Sequence, residues 1–338
     1  MINIIGIGIV GTGYWGKNHV RNYKTLLMEK KIDYLKICDL NEKRAKEIGT
    51  DFNLDYTSNI NDVIQDKRIN AVVIATPSST HYELSKLCLV NGKDVFVEKP
   101  LTLNSKDAQD LINIAKKNNK ILMVGHLFRY HPAVKDIKKR IDMGEFGKII
   151  LIITYRFAFG VPRKDMGVIL ALAVHDLDLT CYLLKQNTPK SILVDNAKFH
   201  QNEVEEMTNI TLEFENGAKG YMMESWDIPV YDKKRELVVV GTEKSAIIDY
   251  LVSNEYKIYD TKIKKRYIQS EVILEKEDNA VNKIIIEYKE PLNEEILHFL
   301  ECLKTRKIPE TDGVVGYHAV QMCEKAFQSA LENKRIYF

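Results

Sequence analysis

The chain has 338 residues, of which 45% are hydrophobic and 28% charged, a balance that suits two globular domains with their own cores. Its 49 Lys and Arg nearly match its 47 Asp and Glu, and the resulting net charge of +2 argues against a nucleic-acid partner. No apolar run approaches the ~20 residues of a membrane span, which argues against a membrane protein. The five cysteines are scattered without metal-type spacing, and no signal peptide precedes the first strand pattern. We therefore expect a cytoplasmic protein with reduced thiols and no bound metal.

Short β-branched runs alternate with amphipathic stretches through residues 1–125. Alternation of this kind is typical of a parallel sheet whose strands are joined by helical crossovers. We therefore predict an N-terminal α/β domain of the Rossmann dinucleotide-binding type over residues 1–125. The predicted strands are Ile2–Val10, Tyr34–Cys38, Ala71–Ala75, Asp94–Val97 and Ile121–Val124. The predicted helices lie near Trp15–Glu29, Glu42–Ile48, Ser79–Asn91 and Ser105–Asn118.

The pattern changes after residue 125, where strand-like runs follow one another. A helix is predicted from Pro132 to about Arg140, a strand at Ile149–Phe157 and a second helix at Val168–Leu184. We therefore predict that residues 126–338 form an α+β domain with a large open, mostly antiparallel sheet. The later strands are predicted at Thr208–Phe214, Lys219–Trp226, Glu236–Val240, Ser245–Tyr250, Tyr256–Tyr259 and Ile284–Tyr288. The last two helices are predicted near Asn293–Lys304 and Val314–Glu332.

The segment after the first strand reads GTGYWG and has the glycine spacing of a dinucleotide-binding loop. The first glycine makes the turn, the second lets the backbone approach a pyrophosphate, and the third allows close packing of helix on strand. Asp39 ends the next strand, where a carboxylate accepts hydrogen bonds from the ribose hydroxyls and repels a 2′-phosphate. Alternatively, Asp39 caps the helix that starts at Asn41. We expect NAD rather than NADP, bound by Gly11, Gly13, Tyr14, Trp15, Gly16 and Asp39.

Two later strands run directly into polar residues and prolines. The fourth strand ends in Ala75-Thr76-Pro77, with His81 on the following turn, and the fifth ends in Glu98-Lys99-Pro100. Ligands of an open parallel sheet lie beyond the carboxyl ends of its strands, so these side chains are expected in the dinucleotide crevice. The alternative is a surface turn with two solvated charges. We predict that Lys99 takes part in proton transfer. The cofactor contacts predicted here are Thr76, Pro77, His81, Glu98 and Lys99.

Five motifs occur along the chain in the order GTGYWG, ATPSSTH, VEKPL, GHLFRYHP and AVHDLDL. With them the chain resembles the glucose–fructose oxidoreductase / inositol dehydrogenase (Gfo/Idh/MocA) family over nearly its whole length. The resemblance implies NAD-dependent oxidation of a sugar hydroxyl, with Lys99 contacting that hydroxyl and the nicotinamide ribose. It also implies a cis peptide before Pro100 and a place for Arg129 beside the cofactor and the substrate. For Arg129, the alternative is a charge solvated at a helix N-terminus.

His175 lies within a long apolar helical pattern. A histidine there is often a core residue, but the resemblance implies that His175 faces the cleft as a catalytic residue. Imidazole can accept an alcohol proton near neutral pH. The family usually carries Asp four residues earlier, where this sequence has Ala171. These positions share a helix face, so the missing carboxylate affects the expected proton relay and leaves a non-catalytic NAD-binding regulator as an alternative.

The segments ESWDIPVYDKKREL and EPLNEEILHFLECLK resemble the branch that oxidises UDP-N-acetylhexosamines and their uronates at C3. Trp226 is then expected to pack on a substrate ring, and Arg235 or Arg163 to pair with a phosphate. The alternative is that these are ordinary core and rim residues. A dehydrogenase of a free sugar, inositol or trans-dihydrodiol is the rival function. The resemblance also implies a homodimer or homotetramer formed through the open sheet. The predicted substrate-binding residues are Lys99, Arg129, Tyr155, Arg163, His175, Trp226 and Arg235.

Overall fold

The structure is a computed structural model that describes residues 5–160, 166–268 and 271–338, with side chains described outside 261–279. The chain forms two compact units. The first unit contains the residues up to Leu127 together with Glu290–Gln321, and the second contains Phe128–Lys289 together with Met322–Phe338. The predicted boundary after residue 125 assigns residues 290–321 to the second domain, whereas the structure places them in the first unit. The amphipathic pattern of a helix does not reveal which sheet it covers.

The first unit is built on one parallel sheet. Its strands are β1 (Gly6–Val10), β2 (Tyr34–Cys38), β3 (Asp55–Thr57), β4 (Ala71–Ile74), β5 (Asp94–Glu98) and β6 (Leu122–Gly125). They lie in the order β3-β2-β1-β4-β5-β6, with every adjacent pair parallel. The order reverses between β1 and β4, and ligands of such sheets lie beyond the carboxyl ends at this point. The helices between the strands are α1 (Tyr14–Met28), α2 (Glu42–Phe52), α3 (Asn61–Ile64), α4 (His81–Val90) and α5 (Ser105–Lys117).

The central strands of this sheet are continuous apolar runs because helices cover both faces. Every residue of β1, β4 and β5 is buried. Leu89 of α4 and Leu111 of α5 belong to the same core cluster as Val72 and Val95 of the strands. Burial continues to the last residue of β5, so the polar group of Glu98 is enclosed at the carboxyl edge of the sheet, directly before Lys99.

The second unit is built on a nine-stranded sheet in the order β14-β13-β12-β11-β7-β10-β9-β8-β15, in which only the β7–β10 pair is parallel among the described strands. Its strands are β7 (Ile149–Ala158), β8 (Ser191–Ala197), β9 (Met207–Glu213), β10 (Lys219–Ser225), β11 (Lys233–Gly241), β12 (Ser245–Asp249), β13 (Glu255–Ile268), β14 (Glu271–Ile285) and β15 (Ile336–Tyr337). The helices are α6 (Pro132–Asp142), α7 (Val174–Leu184), α8 (Pro291–Thr305) and α9 (Gly313–Glu332), of which α8 belongs to the first unit and α9 spans the division.

The predicted fold class, a Rossmann domain followed by an α+β domain with a mostly antiparallel sheet, is confirmed. The sequence did not reveal β8, because Asp195 and Asn196 are residue types that are rare in strands. The helix predicted over Val168–Leu184 begins with a π-helical turn at Ile169–Ala173 before α7. In the described part of the chain, no helix combines the length and apolar character needed to cross a membrane.

Candidate active site

The loop of residues 11–16 between β1 and α1, here the phosphate loop, has the backbone of an anion-binding turn. Gly11 has a φ of +88°, which favours glycine, and a Cβ at Gly16 would lie 2.0 Å from the Gly11 carbonyl oxygen. A Cβ at Gly13 would meet no described atom within 4 Å, and no described side chain caps α1 there. The first N–H groups of α1, at the exposed Tyr14 and the partly exposed Trp15, are therefore suited to an anion.

Asp39 follows β2 and is hydrogen-bonded to the phosphate loop. Its Oδ2 accepts from the N–H and the hydroxyl of Thr12, each at 2.8 Å, and its Oδ1 accepts from the N–H of Asn41 at 2.9 Å. Burial acts to raise the pKa of Asp39, but these hydrogen bonds and the charge of Arg44 outweigh it and keep the pKa below its usual range. The N-cap of α2 is Asn41, whose side chain accepts from the N–H of Arg44, so Asp39 does not occupy the N-cap position. The carboxylate is kept charged at the end of the second strand, where Rossmann domains bind the ribose.

His81 connects two loops at the carboxyl edge of the sheet. Its Nδ1 lies 2.7 Å from the carbonyl oxygen of Pro100, and its Nε2 lies 3.0 Å from that of Thr76. Burial lowers the pKa of His81, although the two carbonyl groups act in the opposite direction. Both ring nitrogens thus face the protein's own backbone, and the predicted contact of His81 with the cofactor has no support in this geometry. Thr76 is half-buried and Pro77 is exposed beside it.

Glu98, the last residue of β5, pairs with His19 of α1. Its Oε1 lies 2.7 Å from the Nε2 of His19, and its Oε2 accepts from the N–H of Lys99 at 3.3 Å. Burial acts to raise the pKa of Glu98, but the hydrogen bond from His19 and the nearby positive charges outweigh it and lower the pKa. The carboxylate therefore holds the backbone at Lys99, and the predicted cofactor contact of Glu98 itself is not supported. Lys99 is half-buried, and the peptide between it and Pro100 is cis, as the resemblance implied.

In the second unit, His175 lies in the first turn of α7. Its ring is buried and meets Phe128 edge-on, with the ring centroids 5.0 Å apart. Phe128 contacts Tyr250 at a centroid distance of 5.1 Å, and the guanidinium carbon of Arg156 lies 4.0 Å from the Phe128 centroid. His175 therefore contacts an aromatic ring that also carries the guanidinium of Arg156.

Ala171 and Trp226 belong to one apolar cluster with Met166 and Val168. Ala171 is 9% exposed and Trp226 is 8% exposed. The indole therefore packs against the protein's own side chains, and its burial does not support the predicted stacking on a substrate ring. The position at which the family usually carries Asp here has apolar neighbours, in which an unpaired carboxylate would be costly.

Arg129 forms a bidentate ion pair with Asp178 of α7. Its Nε donates to Oδ2 at 2.9 Å and its Nη2 donates to Oδ1 at 2.5 Å. The guanidinium carbon lies 4.7 Å from the centroid of the Tyr182 ring. Arg129 is buried, so the alternative of a solvated charge is wrong. The ion pair uses two of the donors of the guanidinium within the protein, and a contact with cofactor or substrate stays a prediction.

Two further predicted substrate-binding residues, Arg235 and Tyr155, lie on opposite faces of the second sheet. Arg235 of β11 lies opposite Arg156 of β7, so the two side chains are on the same face, the one that contacts α7. Successive residues of a strand point to opposite faces, and Tyr155 therefore lies on the other face. Because His175 is on α7, the prediction that Tyr155 joins it in binding the substrate is not supported. Arg163 lies outside the described residues.

Three residues that build these surroundings were missed from the sequence. His19 follows Gly16 by three residues, and the amphipathic pattern of α1 does not show which of its polar residues point inward. Phe128 lies within the segment GHLFRYHP, whose sequence pattern indicates no role for it. Glu224 occupies an inward position of β10 beside Ser225 and Trp226. A charged residue at the buried phase of a strand pattern is the signal that could have indicated it.

Two family models match consecutive parts of the chain. The NAD-binding Rossmann fold of the GFO/IDH/MocA oxidoreductase family matches residues 5–126, and the C-terminal alpha/beta domain of this oxidoreductase family matches residues 138–338. The chain belongs to the Gfo/Idh/MocA oxidoreductase family. It is an NAD-dependent dehydrogenase that acts on a sugar or polyol hydroxyl.

Relatives of this Gfo/Idh/MocA oxidoreductase differ in substrate. The scyllo-inositol 2-dehydrogenase (NAD⁺) of Bacillus subtilis (strain 168) is 27% identical over 352 residues, which cover 97% of each chain. The UDP-N-acetylglucosamine 3-dehydrogenase of Acidithiobacillus ferrooxidans is 30% identical over 177 residues, which cover 52% of this chain and 53% of the relative. Levoglucosan dehydrogenase, solved with NADH and levoglucosan, has the same fold, with a TM-score of 0.85 at 19% identity over 99% of both chains. The two family models establish the family, the solved structure shows the same fold, and the substrate must be inferred from the site.

The first unit of this Gfo/Idh/MocA oxidoreductase fits its cofactor. The phosphate loop presents the start of α1 to a pyrophosphate, with open space at Gly13, and the charged Asp39 suits a ribose with free hydroxyls. When bound, NAD supplies a hydride acceptor. Within residues 5–160, 166–268 and 271–338, no group of three or more His, Cys, Asp or Glu side chains is arranged to hold a metal ion.

Proposed function

We propose that this protein oxidises the C3 hydroxyl of a UDP-N-acetylhexosamine, or of its uronate, to a ketone. Lys99 donates a hydrogen bond to the reacting hydroxyl and orients it, and His175 accepts the hydroxyl proton. Bound NAD would accept the hydride from the same carbon, so the alcohol would lose one proton to His175 and one hydride, which is a second proton with two electrons. A positioned proton-transfer group typically contributes ~10²–10⁴-fold to the rate.

Two neighbouring positive charges on β11 support a nucleotide sugar as the substrate. Lys233 and Arg235 are two residues apart on this strand and therefore face the same side of the sheet. The positive charge of Arg235 is the main cause that lowers the pKa of Lys233, and burial is the second. Binding of a diphosphate relieves the repulsion between two such cations and supplies oxygens to both. Arg235 shares its sheet face with Arg156, which contacts α7, so the charged pair and the helix of His175 are on one side.

Calorimetric titration with UDP-N-acetylglucosamine in the presence of NADH tests this proposal. Lys233→Met and Arg235→Met should each weaken binding by about tenfold or more, because a hydrogen bond to a charged group is worth roughly 1.5–3 kcal/mol. Lys234→Met is the matched control, because its Nζ lies 4.9 Å from the centroid of Tyr155 on the opposite face. Equal affinities of all three variants for the nucleotide sugar would contradict the proposal.

Oxidation of inositol or a free sugar is the second candidate function. It is favoured by the similarity to scyllo-inositol 2-dehydrogenase, which extends over 97% of both chains. An uncharged polyol gives no reason for the Lys233–Arg235 pair. The same titration with scyllo-inositol separates the two functions: tighter binding of the polyol than of the nucleotide sugar, unchanged in Arg235→Met, would favour this second candidate.

We also propose a homodimer or homotetramer that forms through the sheet face opposite α7. Tyr221, Ile153 and Val238 lie side by side on that face, and Met223 lies beside Tyr155. Each of these apolar side chains is partly or fully exposed. Contiguous apolar patches of this kind mark interaction surfaces on soluble proteins. Light scattering on the parent and on Ile153→Glu tests it: the parent should have at least twice the mass of the variant, and a monomeric parent would contradict the proposal.

A further inference from the structure

A buried group of charges lies beneath the helix that carries His175. Arg156 of β7 donates from Nε to Oδ2 of Asp176 at 2.6 Å and from Nη2 to Oδ1 at 2.7 Å. Glu224 of β10 lies opposite Arg156 in register, so its side chain is on the same sheet face. Arg156, Asp176 and Glu224 are 3%, 1% and 0% exposed. The three residues, here the acid–arginine triad, join the first turn of α7 to the sheet.

The hydrogen bonds of the triad distinguish its two carboxyl groups. Both oxygens of Asp176 accept from Arg156, which is the arrangement of an ionised carboxylate. Both oxygens of Glu224 are buried, and neither accepts a hydrogen bond from a described residue. An ionised carboxylate can only accept, so a charged Glu224 would leave two buried oxygens without a donor among the described residues. A protonated Glu224 has one donor, and the Asp176 carboxylate is the acceptor beside it.

The surroundings of Glu224 favour its protonated form. Burial is the largest cause that raises the pKa of Glu224, followed by the charge of Asp176 and a hydrogen bond to it. Arg156 and Arg235 act in the opposite direction but do not prevail. Thr208 of β9, opposite Glu224 on the other neighbouring strand, carries no charge. Tyr250 faces Arg156 and Asp176, and its own pKa is raised by burial, so it adds no charge near neutral pH.

The triad is connected to His175 through one aromatic ring. The guanidinium of Arg156 lies on the ring of Phe128, with Cζ 4.0 Å from the centroid, and the imidazole of His175 meets Phe128 at a centroid distance of 5.0 Å. Asp176 is the next residue of α7 after His175. The backbone turn and the ring that support the imidazole are therefore both fixed by the same ion pair.

We propose that Glu224 is a positioning residue, which as a neutral acid donates a hydrogen bond to Asp176 and so holds Arg156, Phe128 and the imidazole of His175 in place. The proposal rests on the proposed catalytic role of His175. When Glu224 loses its proton, two carboxylates face the buried Arg156, and the donor to Asp176 is gone. The support of His175 should therefore weaken as the pH rises.

The first test compares the thermal stability of the parent and Glu224→Gln from about pH 5 to about pH 9. The amide keeps the size and a donor but cannot ionise. The folded-state pKa of Glu224 is above the unfolded one, so the parent is destabilised as the pH rises above the unfolded pKa of about 4.3, by about tenfold in the folding constant per pH unit until Glu224 ionises. The advantage of Glu224→Gln should therefore grow with pH. Glu213→Gln, at a half-exposed glutamate of β9 whose pKa is lowered by Lys219, is the matched control and should show no such growth.

Infrared difference spectra provide a second readout that does not require turnover. At neutral pH the parent should show the carbonyl stretch of one protonated carboxyl group that Glu224→Gln lacks. A pH-independent stability difference, or a carboxylate band in place of the acid band, would overturn the proposal. Both measurements are independent of substrate, so they distinguish its failure from failure of the proposed function. If the protein oxidises the proposed sugar, kcat of the parent should fall at alkaline pH more steeply than kcat of Glu224→Gln. Equal pH profiles of kcat would show that Glu224 does not act on catalysis through His175.

Discussion

The Nε2 of His19 lies 2.7 Å from the Oε1 of Glu98, and both side chains are buried. His19 belongs to the helix that starts in the phosphate loop, and Glu98 ends the strand that leads to Lys99. The second oxygen of Glu98 accepts from the N–H of Lys99. One carboxylate thus connects the helix that would hold the pyrophosphate to the backbone of the residue proposed to orient the substrate hydroxyl.

His19→Ala should destabilise the protein by about 3 kcal/mol, because it leaves the buried Glu98 carboxylate without its nearest partner. His19→Gln should cost less, since the amide can still donate. Denaturant unfolding of the parent and both variants measures the difference. In a Glu98→Gln background, His19→Ala should have a smaller effect, because the charge that needs a partner is gone. Additive effects of the two substitutions would contradict the coupling.

Asp39→Ala should narrow the preference for NAD over NADP, because the carboxylate that would face a 2′-phosphate is removed. Titration of both cofactors measures the preference. The substitution also leaves the N–H and hydroxyl of Thr12 without their acceptor, so stability should fall. Thr12→Val is the control, because it removes one hydrogen bond and keeps the charge: the NAD preference should persist. A lost preference in Thr12→Val would show that loop geometry, and not the carboxylate, selects the cofactor.

A structural feature of this protein could be predicted from the sequence when it depends on neighbouring residues, and not when it depends on residues far apart in the chain. The strands β1, β4 and β5 were predictable because buried parallel strands are apolar runs bounded by glycine or proline. The glycines of the phosphate loop were predictable because their spacing follows from local backbone geometry. The partner of His19 is 79 residues away, and no local pattern indicates it. The surroundings of Ala171 were hidden for the same reason, because Trp226 reaches it from another element.

Lys99→Ala should lower kcat by ~10²–10⁴-fold, as loss of a proton-transfer or hydroxyl-orienting group does. NAD affinity should change little, because the pyrophosphate and ribose contacts proposed here involve the phosphate loop and Asp39. Steady-state kinetics and a cofactor titration give the two values. Lys99→Arg keeps the charge but alters its geometry, and we expect it to recover only part of the rate. Near-parental turnover of Lys99→Ala would show that Lys99 is only a surface charge.

Ala171→Asp restores the residue that the family usually carries, and from the sequence alone it should raise kcat by placing a carboxylate beside His175. The structure predicts the opposite result. Ala171 is 9% exposed and packs with Met166, Val168 and Trp226, so the carboxylate would enter apolar surroundings. Burial of a polar group without a partner costs roughly 1–3 kcal/mol in protein mutational data, and an ionised one costs more. We therefore expect a lower melting temperature at neutral pH and no gain in kcat.

The Ala171→Asn variant has nearly the same size as Ala171→Asp but no charge, so comparing the two separates the effect of charge on stability from the effect of size. If charge is the cause, Ala171→Asp should recover stability relative to Ala171→Asn as the pH falls, because the buried acid has a raised pKa and is neutral when protonated. Equal losses at every pH would assign the effect to overpacking of the cluster, which typically costs 1–3 kcal/mol. A stable Ala171→Asp with raised kcat would contradict both explanations. It would mean that the carboxylate finds a donor near His175, and that the apolar cluster opens to admit it.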